Sequence, residues 1–175
     1  MSIGACMGRT NPIVIADAGP IIHLDELGYL NLLADFDEVL VPEAVWLEVE
    51  RHRPLALKAV KDWLVRQPLG QHSAVVSALT PLYSLHAGEQ EALHLCVEFG
   101  DCLLLTDDTA ARLAAKSLNI AAHGTLGVLI RAIRRHCLTK AEVLALLNAV
   151  PKQTTLHVRP ALLREVIANV EANAD

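Results

Sequence analysis

Short apolar runs alternate along this chain with longer segments in which apolar residues recur every three or four positions. The runs IVIA (13–16), EVLVP (38–42), CLLLT (102–106) and NIAAHG (119–124) have the length of buried parallel strands. The longer segments have the spacing of amphipathic helices. Strands that alternate with helices predict an α/β fold with a parallel sheet covered on both faces, and a single domain over residues 1–175.

Helical spacing marks eight segments between and after these runs. Pro20 is expected at the first position of the first helix, and Thr139 opens a Thr-x-x-Glu capping box in the seventh. Residues 74–86 are ambiguous, and a strand around Val75 and Val76 is one interpretation of them. The last two helices, at about 139–172, follow a core of about 13–136. The eight segments are 20–33, 42–50, 55–67, 88–99, 107–118, 125–136, 139–150 and 160–172.

The composition is that of a protein with a substantial core. Of the 175 residues, 53% are hydrophobic and 20% charged, which excludes a disordered chain. No stretch reaches the roughly 18 apolar residues of a membrane helix, and the first residues lack the apolar segment of a secretory signal. We therefore expect a cytoplasmic protein without a membrane partner. A chain this apolar could also bury surface in a homodimer.

The net charge and the spacing of the cysteines exclude some classes of function. The net charge of −5 gives no overall basic field, so binding of nucleic acid through global charge is not expected. The four cysteines form no C-x-x-C pair and no zinc-type spacing, and are expected to be reduced thiols, most of them buried.

Acidic residues follow two of the predicted strands. Asp17 comes directly after 13–16, and Asp107 and Asp108 come directly after 102–106. The carboxyl ends of parallel strands meet at one edge of the sheet, which is where ligands bind in open α/β folds. Asp107 or Asp108 could instead cap the next helix. That alternative is weaker for Asp17, because no cation stands near it in the sequence.

Glu48 adds a third acid, in the helix after the second strand. It lies roughly 80° from the line of Val45 and Val49 around the helix, at the edge of the buried face. A carboxylate there needs a cation, which could be a metal ion or a salt bridge to Arg51 or Lys58.

Glu89 and Glu91 both fall in the first turn of the helix that begins at Gly88. The helix dipole favours acids in this turn by about 0.3 to 1 kcal/mol in any case. Helical geometry aligns Glu89 with apolar Leu93 and turns Glu91 toward the polar side. Geometry alone would therefore choose Glu89 as the inward acid.

Carboxylates that converge repel one another unless a cation joins them or some stay protonated. Oxygen-only ligands without His or Cys suit Mg²⁺ or Mn²⁺. A divalent ion held in this way can activate a water and stabilise the leaving oxygen in phosphodiester hydrolysis. Asp17 is accordingly predicted to be a metal ligand.

Five stretches in order resemble the PIN-domain family, metal-dependent ribonucleases that include the VapC-type toxins. They are IVIADAGPIIHL, VLVPEAVWLEV, AGEQEALHLC, LLLTDDTAARLA and GTLGVLIRA, which together span Ile13 to Ala132. The double aspartate after CLLLT is similar to an uncharacterised prokaryotic branch of the family. The resemblance implies a PIN-like α/β/α sandwich around a parallel sheet of about four or five short strands.

The resemblance assigns catalysis and metal binding to four acids, Asp17, Glu48, Glu91 and Asp108. Glu91 matches because EALHL resembles the family's acid-Ala-Leu-His-Leu run, and Glu89 remains the second choice. Asp108 matches because it stands two places after Thr106, with Asp107 as the second choice.

Two further positions bear on the resemblance. Arg112 stands where this branch often carries an arginine, and either contacts a phosphate or pairs with Asp108 four residues earlier. Gly19 stands where many members carry a Ser or Thr, so a hydroxyl that would hold water or substrate is missing. This departure bears on turnover more than on fold.

The resemblance implies an endoribonuclease that hydrolyses RNA with Mg²⁺ or Mn²⁺, and a toxin whose partner would be an antitoxin protein. The alternative is a PIN-like module that binds RNA or a partner with little or no turnover. A phosphatase with an aspartyl nucleophile would need a second acid at Gly19. Three arginines on one helical face, Arg131, Arg134 and Arg135, either grip phosphates or face solvent. Three histidines are weaker candidates for proton transfer: His23, His94 and His123.

Overall fold

A parallel sheet forms the centre of the structure, a computed structural model that describes residues 12–59 and 62–173. Its strands within those ranges are β1 (Ile13–Ala16), β2 (Val39–Pro42), β3 (Leu64–Gln67), β4 (Cys102–Leu105) and β5 (Ala121–His123). They pair in the order β3-β2-β1-β4-β5, all parallel. The α/β fold with four or five parallel strands is therefore confirmed.

Helices cover both faces of this sheet. In chain order they are α1 (Ala18–Glu26), α2 (Glu43–His52), α3 (Pro54–Ala59), α4 (Ala74–Tyr83), α5 (Ala87–Phe99), α6 (Thr109–Ser117), α7 (Thr125–Arg134), α8 (Lys140–Gln153) and α9 (Pro160–Ala172). One apolar cluster joins the sheet to α1, α2, α7, α8 and α9, and the other joins it to α4, α5 and α6. These are the three layers of an α/β/α sandwich.

The central strand shows why the apolar runs are continuous. Val14 and Ala16 of β1 point into the first cluster and Ile15 points into the second, and all three are fully buried. A strand covered on both faces needs apolar residues at every position. Asp17 directly follows this strand and is the first polar residue at its carboxyl end.

The prediction of one helix over 55–67 is wrong. The helix α3 stops at Ala59, and Leu64–Gln67 forms the edge strand β3 beside β2. Only Leu64 of this strand is buried, and Arg66 pairs with Glu43 of α2 on the exposed side. With only two apolar residues, Leu64 and Val65, this edge strand does not stand out from the helical spacing that precedes it.

The interpretation of the stretch around Val75 as a strand is also wrong, because this stretch lies in helix α4. Val76 is buried against the α5–α6 layer while Val75 is exposed. Two adjacent β-branched residues suggested a strand, but packing of one helical face overrode that local preference.

The first helix begins earlier than predicted and ends sooner. Asp17 is its N-cap, so Pro20 is the third helical residue rather than the first, still within the turn whose N–H groups have no helical partner. Gly28 adopts a φ of 78°, and a 3-10 helix follows at Leu30–Phe36 instead of further α-helix. The capping box that Thr139 opens at α8 is confirmed.

Among the described cysteines, Cys96 and Cys102 are buried, Cys137 is exposed, and all three are free thiols. Cys6 lies outside the described residues. Within 12–59 and 62–173, none of the helices has the length and apolarity to cross a bilayer.

Candidate active site

Asp17 is held at the carboxyl end of β1 by three hydrogen bonds. Its Oδ1 accepts from the backbone N–H of Ala18 at 2.8 Å, and its Oδ2 accepts from the hydroxyl of Thr106 at 2.9 Å. Its own N–H donates to the carbonyl of Leu105 at 2.8 Å. With only 8% of its surface exposed, the carboxylate has a fixed position at the point where β1 and β4 end.

The electrostatics of Asp17 are those of a crowded acidic site. Burial raises its pKa to about 6, and the hydrogen bonds from Ala18 and Thr106 offset this only in part. The negative charges of Glu89 and Glu48 contribute smaller parts of the same upward shift in pKa. Carboxylates from three different elements therefore act on one another at this edge of the sheet.

One carboxylate oxygen of Asp17 and one of Glu48 line the space over Gly88, which we call the gap. A Cβ on Gly88 would stand 3.5 Å from Asp17 Oδ1, 3.6 Å from Glu48 Oε2 and 3.1 Å from Val45 Cγ2. Glycine at this position therefore leaves open the space between the two carboxylates. An added methyl group would fill it.

The surroundings of Glu48 differ from the expectation. The residue is exposed rather than at the edge of the buried face, whereas Val45 and Val49 of the same helix are fully buried. Within the described part of the chain neither Arg51 nor Lys58 comes within ion-pair distance of it. Its carboxylate is therefore not neutralised by a neighbouring side chain there.

The two acids of α5 have different partners. Glu91 Oε2 accepts from the N–H of Ala44 at 2.7 Å and so fastens α5 to the first turn of α2. Glu89 accepts from the N–H of His86 at 2.7 Å, which closes a capping box, and its side chain is 12% exposed. The charge that reaches Asp17 from α5 is that of Glu89.

The adjacent acids Asp107 and Asp108 have different hydrogen-bond partners. Asp108 is the N-cap of α6, where its Oδ1 accepts from the N–H of Ala111 at 2.7 Å. Asp107 accepts from the N–H of Thr125 at 2.7 Å, from the Thr125 hydroxyl at 2.6 Å and from His23 Nδ1 at 2.8 Å. The alternative that these acids cap helices is thus found for both, at α6 and at the start of α7.

Thr106 connects the two strand ends, although its position in the sequence did not mark it as a functional residue. Its fully buried hydroxyl donates to Asp17 Oδ2, and the same oxygen accepts from the N–H of Asp108 at 3.2 Å. The available signal was a single polar residue that ends an apolar strand directly before two acids. Thr106 fixes the distance between Asp17 and Asp108.

Oxygen-only donors that line an open gap fit a hard divalent cation. Within 12–59 and 62–173, no three His, Cys, Asp or Glu side chains converge closely enough to form a ready-made metal cage. Mg²⁺ does not require one, because it usually binds one or two carboxylates and keeps several waters. Asp17 and Glu48 are the pair that would hold it, and Glu89 adds a negative charge that acts on Asp17.

Arg112 does not pair with the side chain of Asp108. Its Nε donates to the carbonyl of Thr106 at 3.1 Å, and only the backbone N–H of Arg112 reaches Asp108, at its carbonyl. None of the described carboxylates lies within ion-pair distance of the guanidinium group. One terminal nitrogen of Arg112 and Asp107 Oδ1 both lie close to Gly124, so the guanidinium group stands beside this carboxylate without a direct ion pair.

His94 is a structural histidine. It is buried, and its Nδ1 accepts from the N–H of Ser73 at 2.9 Å. Burial lowers its pKa, and the charge of His72 lowers it further, which stabilises the neutral acceptor form.

Gly19 faces the Asp107–His23 pair. A Cβ there would stand 3.4 Å from Asp107 Oδ2 and 3.5 Å from His23 Cε1, which is ordinary contact distance. We expect Gly19→Ser to fold normally and to raise the free energy of unfolding by about 0.5 kcal/mol, because serine is the better helix former. Urea denaturation measures this. A loss of more than about 1 kcal/mol would show that this pair leaves no room for a side chain.

Residues 13–172 match a family model described as a PIN domain. The chain belongs to the PIN-domain family. Members of this family are generally nucleases that act on RNA and usually use divalent metals. Among curated proteins, none matches the chain. The matched range contains every acid at the carboxyl edge of the sheet, from Asp17 to Asp108.

Proposed function

We propose that this PIN-domain protein is a Mg²⁺- or Mn²⁺-dependent endoribonuclease. The observation that carries the proposal is the open gap over Gly88, which Asp17 Oδ1 and Glu48 Oε2 line. A bound Mg²⁺ or Mn²⁺ supplies Lewis-acid activation of water and neutralises charge on the leaving oxygen. The raised pKa of Asp17 supports this, because a cation relieves the repulsion among carboxylates that protonation otherwise relieves.

The chain's own residues prepare the site. Thr106 and the N–H of Ala18 hold both oxygens of Asp17, which fixes its orientation. Glu48 brings the second carboxylate from α2, and Asp108 stands one hydrogen bond from Thr106. By the resemblance, Glu91 completes the four acids proposed for metal binding and catalysis, with Asp107 and Glu89 as second choices, whereas the contacts of α5 favour Glu89 over Glu91.

The biological setting is proposed from the family resemblance. As a toxin, the protein would be held inactive by an antitoxin that covers the acidic gap. A homodimer is compatible with such a complex. The whole chain, 1–175, is proposed to act as one domain.

The second candidate function is RNA or partner binding with little turnover. Glu91 and Asp108 both serve as helix caps, and the family's hydroxyl is replaced by Gly19. Cleavage of a labelled single-stranded RNA that requires Mn²⁺ and stops in EDTA separates the two functions. Binding without cleavage at any metal concentration would favour the binding module.

The two α5 acids can be ranked in the same cleavage assay. Glutamine at either position keeps the acceptor that Glu89 offers to His86 and Glu91 offers to Ala44, so each variant removes charge alone. We expect Glu89→Gln to reduce the Mn²⁺-dependent rate at least tenfold, because its charge is the one that reaches Asp17. We expect a smaller loss for Glu91→Gln. A larger loss for Glu91→Gln than for Glu89→Gln would instead support Glu91, the acid that the resemblance assigns to the site.

A further inference from the structure

A cationic surface lies beside the acids, at the free edge of the sheet. It consists of Arg112 on α6, His123 on β5 and Arg134 on α7, and we call it the β5 notch. Arg112 and Arg134 are exposed, and within the described ranges neither has an acidic partner at ion-pair distance. The chain as a whole has a net charge of −5, yet two guanidinium groups without a direct ion pair lie at this edge of the sheet.

Arg112 is fixed relative to the acids through a single residue. The Nε–H of Arg112 donates to the carbonyl of Thr106, and the hydroxyl of Thr106 donates to Asp17 Oδ2. One terminal nitrogen of the guanidinium group packs directly against Gly124, on the same side as Asp107. The remaining N–H groups of Arg112 can therefore bind an anion next to the catalytic gap.

Arg134 is the unpaired member of the three arginines on α7. Arg131 pairs with Asp35 at 2.7 Å and lies over the Phe36 ring at 4.3 Å, and Arg135 pairs with the same aspartate at 3.1 Å. These two are structural cations that fasten α7 to the 3-10 helix. Of the three, Arg134 has no ion pair among the described residues, so its charge is available to a ligand.

His123 neighbours both arginines, because it lines one cavity with Arg134 and is followed in the chain by Gly124, against which Arg112 packs. Its ring packs on the first turn of α7, where a Cβ on Gly127 would stand 3.5 Å from Nδ1. Partial burial lowers its pKa, and the charges of Arg112 and Arg134 lower it further. Both guanidinium groups are thus close enough to act on this ring, and a neutral imidazole can share hydrogen bonds with the same ligand.

The notch has space on both sides of β5. His123 and Arg134 line a cavity of about 430 Å³ whose floor includes Leu105 and Val128. Arg112 and Lys116 line a second cavity of about 520 Å³. An apolar floor beneath a cationic rim suits a nucleobase attached to a phosphate backbone, because the faces of the base are apolar and the phosphate is anionic.

We propose that Arg112 and Arg134, with the neighbouring His123, bind the phosphate backbone of a single-stranded RNA that leaves the acid site across Gly124 and passes over β5. Guanidinium groups match phosphate in geometry as well as charge. Contacts of this kind set the position of a strand without reading its sequence. This inference rests on the proposed function, and it adds the direction in which the substrate runs.

The test is RNA binding by the full chain without catalysis. Fluorescence anisotropy of a short fluorescein-labelled single-stranded RNA in EDTA compares the parent with Arg112→Gln, Arg134→Gln and the control Arg164→Gln. Arg164 is also exposed, lies on α9 and has no ion pair among the described residues, so all three variants change the net charge equally. We expect roughly five- to tenfold weaker binding for the first two, and less than about twofold for the control.

Salt titration gives a second readout. Each lost phosphate contact should reduce the slope of log K against log salt by about 0.7, while Arg164→Gln should leave the slope unchanged. Thermal melting of each variant checks that its fold is retained. Equal losses in all three variants, or no RNA binding by the parent in EDTA, would overturn the proposal.

The outcomes also separate this inference from the proposed function. Binding that depends on Arg112 and Arg134, in a protein that cleaves no RNA with Mn²⁺, would support the notch and refute the nuclease. Mn²⁺-dependent cleavage with binding unaffected by either variant would do the opposite. If labelled polyglutamate binds more tightly than RNA, and both variants lose this binding, the ligand of the notch is an acidic protein partner and not RNA.

Discussion

Asp17→Asn is expected to abolish RNA cleavage and, in the metal-free protein at neutral pH, to raise stability. The native state keeps the Asp17 proton up to a pKa of about 6, whereas an exposed aspartate releases it near 3.8. Between these values the native state binds more protons than the unfolded chain, so the free energy of unfolding falls as pH rises. At neutral pH the ionised buried carboxylate therefore destabilises the fold by about 3 kcal/mol.

Asparagine would remove this penalty and keep the contacts. Its amide oxygen can accept from Ala18, and its amide NH₂ can donate to the Thr106 hydroxyl, which is able to act as an acceptor. Urea denaturation in EDTA should give variant and parent nearly equal stability at about pH 4. At about pH 7.5 the variant should be more stable by roughly 2 to 3 kcal/mol.

Glu165→Gln is the matched control, because this acid is exposed on α9. It should change neither cleavage nor the dependence of stability on pH. Cleavage by Asp17→Asn at the parent rate would remove Asp17 from the catalytic machinery. A stability difference that does not depend on pH would mean that the carboxylate is not destabilised when it ionises in the folded protein.

Gly88→Ala is expected to weaken Mn²⁺ binding at least tenfold while the fold stays intact. The added methyl group would stand between Asp17 Oδ1 and Glu48 Oε2, in the space that a cation would share with them. Alanine is the better helix former by about 0.8 to 1 kcal/mol, which offsets the close contact with Val45 Cγ2 at 3.1 Å. Stability should therefore change by less than about 1 kcal/mol.

Calorimetric titration with Mn²⁺ measures the first quantity, and urea denaturation measures the second. Gly127→Ala is the matched control: it also places a methyl in the first turn of a helix, 3.3 Å from His123 Cβ and away from the acids. The control should bind Mn²⁺ as the parent does. Unchanged Mn²⁺ affinity in Gly88→Ala would show that the ion binds elsewhere, and the acids would then be caps and exposed charges.

The sequence was sufficient to predict the sheet and its acidic edge, because both depend on local pattern. An aliphatic run buried on both faces is recognisable at β1 and β4, and the acids that follow the runs necessarily lie at the carboxyl edge. The edge strand β3 was missed because only Leu64 of its four residues is buried and two polar residues follow Val65, so it lacks the continuous apolar run that marks β1 and β4. Its residues continue the spacing of the helix predicted before it.

The hydrogen-bond partner of each acid could not be predicted from the sequence. Glu91 bonds to Ala44, 47 positions away, and Thr106 bonds to Asp17 across 89 positions. Spacing along a helix indicates which face a side chain occupies, but which neighbour that face meets depends on packing between elements. The gap over Gly88 could not be predicted from spacing either, because it forms where α2 packs on α5.

The hydrogen bond between Glu91 and the N–H of Ala44 gives this acid two competing uses. While it caps the first turn of α2, it stabilises the helix that carries Glu48. If Glu91 turned instead toward a cation, that N–H would lose its acceptor, so ion binding at this position and the anchoring of α2 oppose each other. Substitutions that tighten binding through Glu91 would be accompanied by faster amide exchange at Ala44.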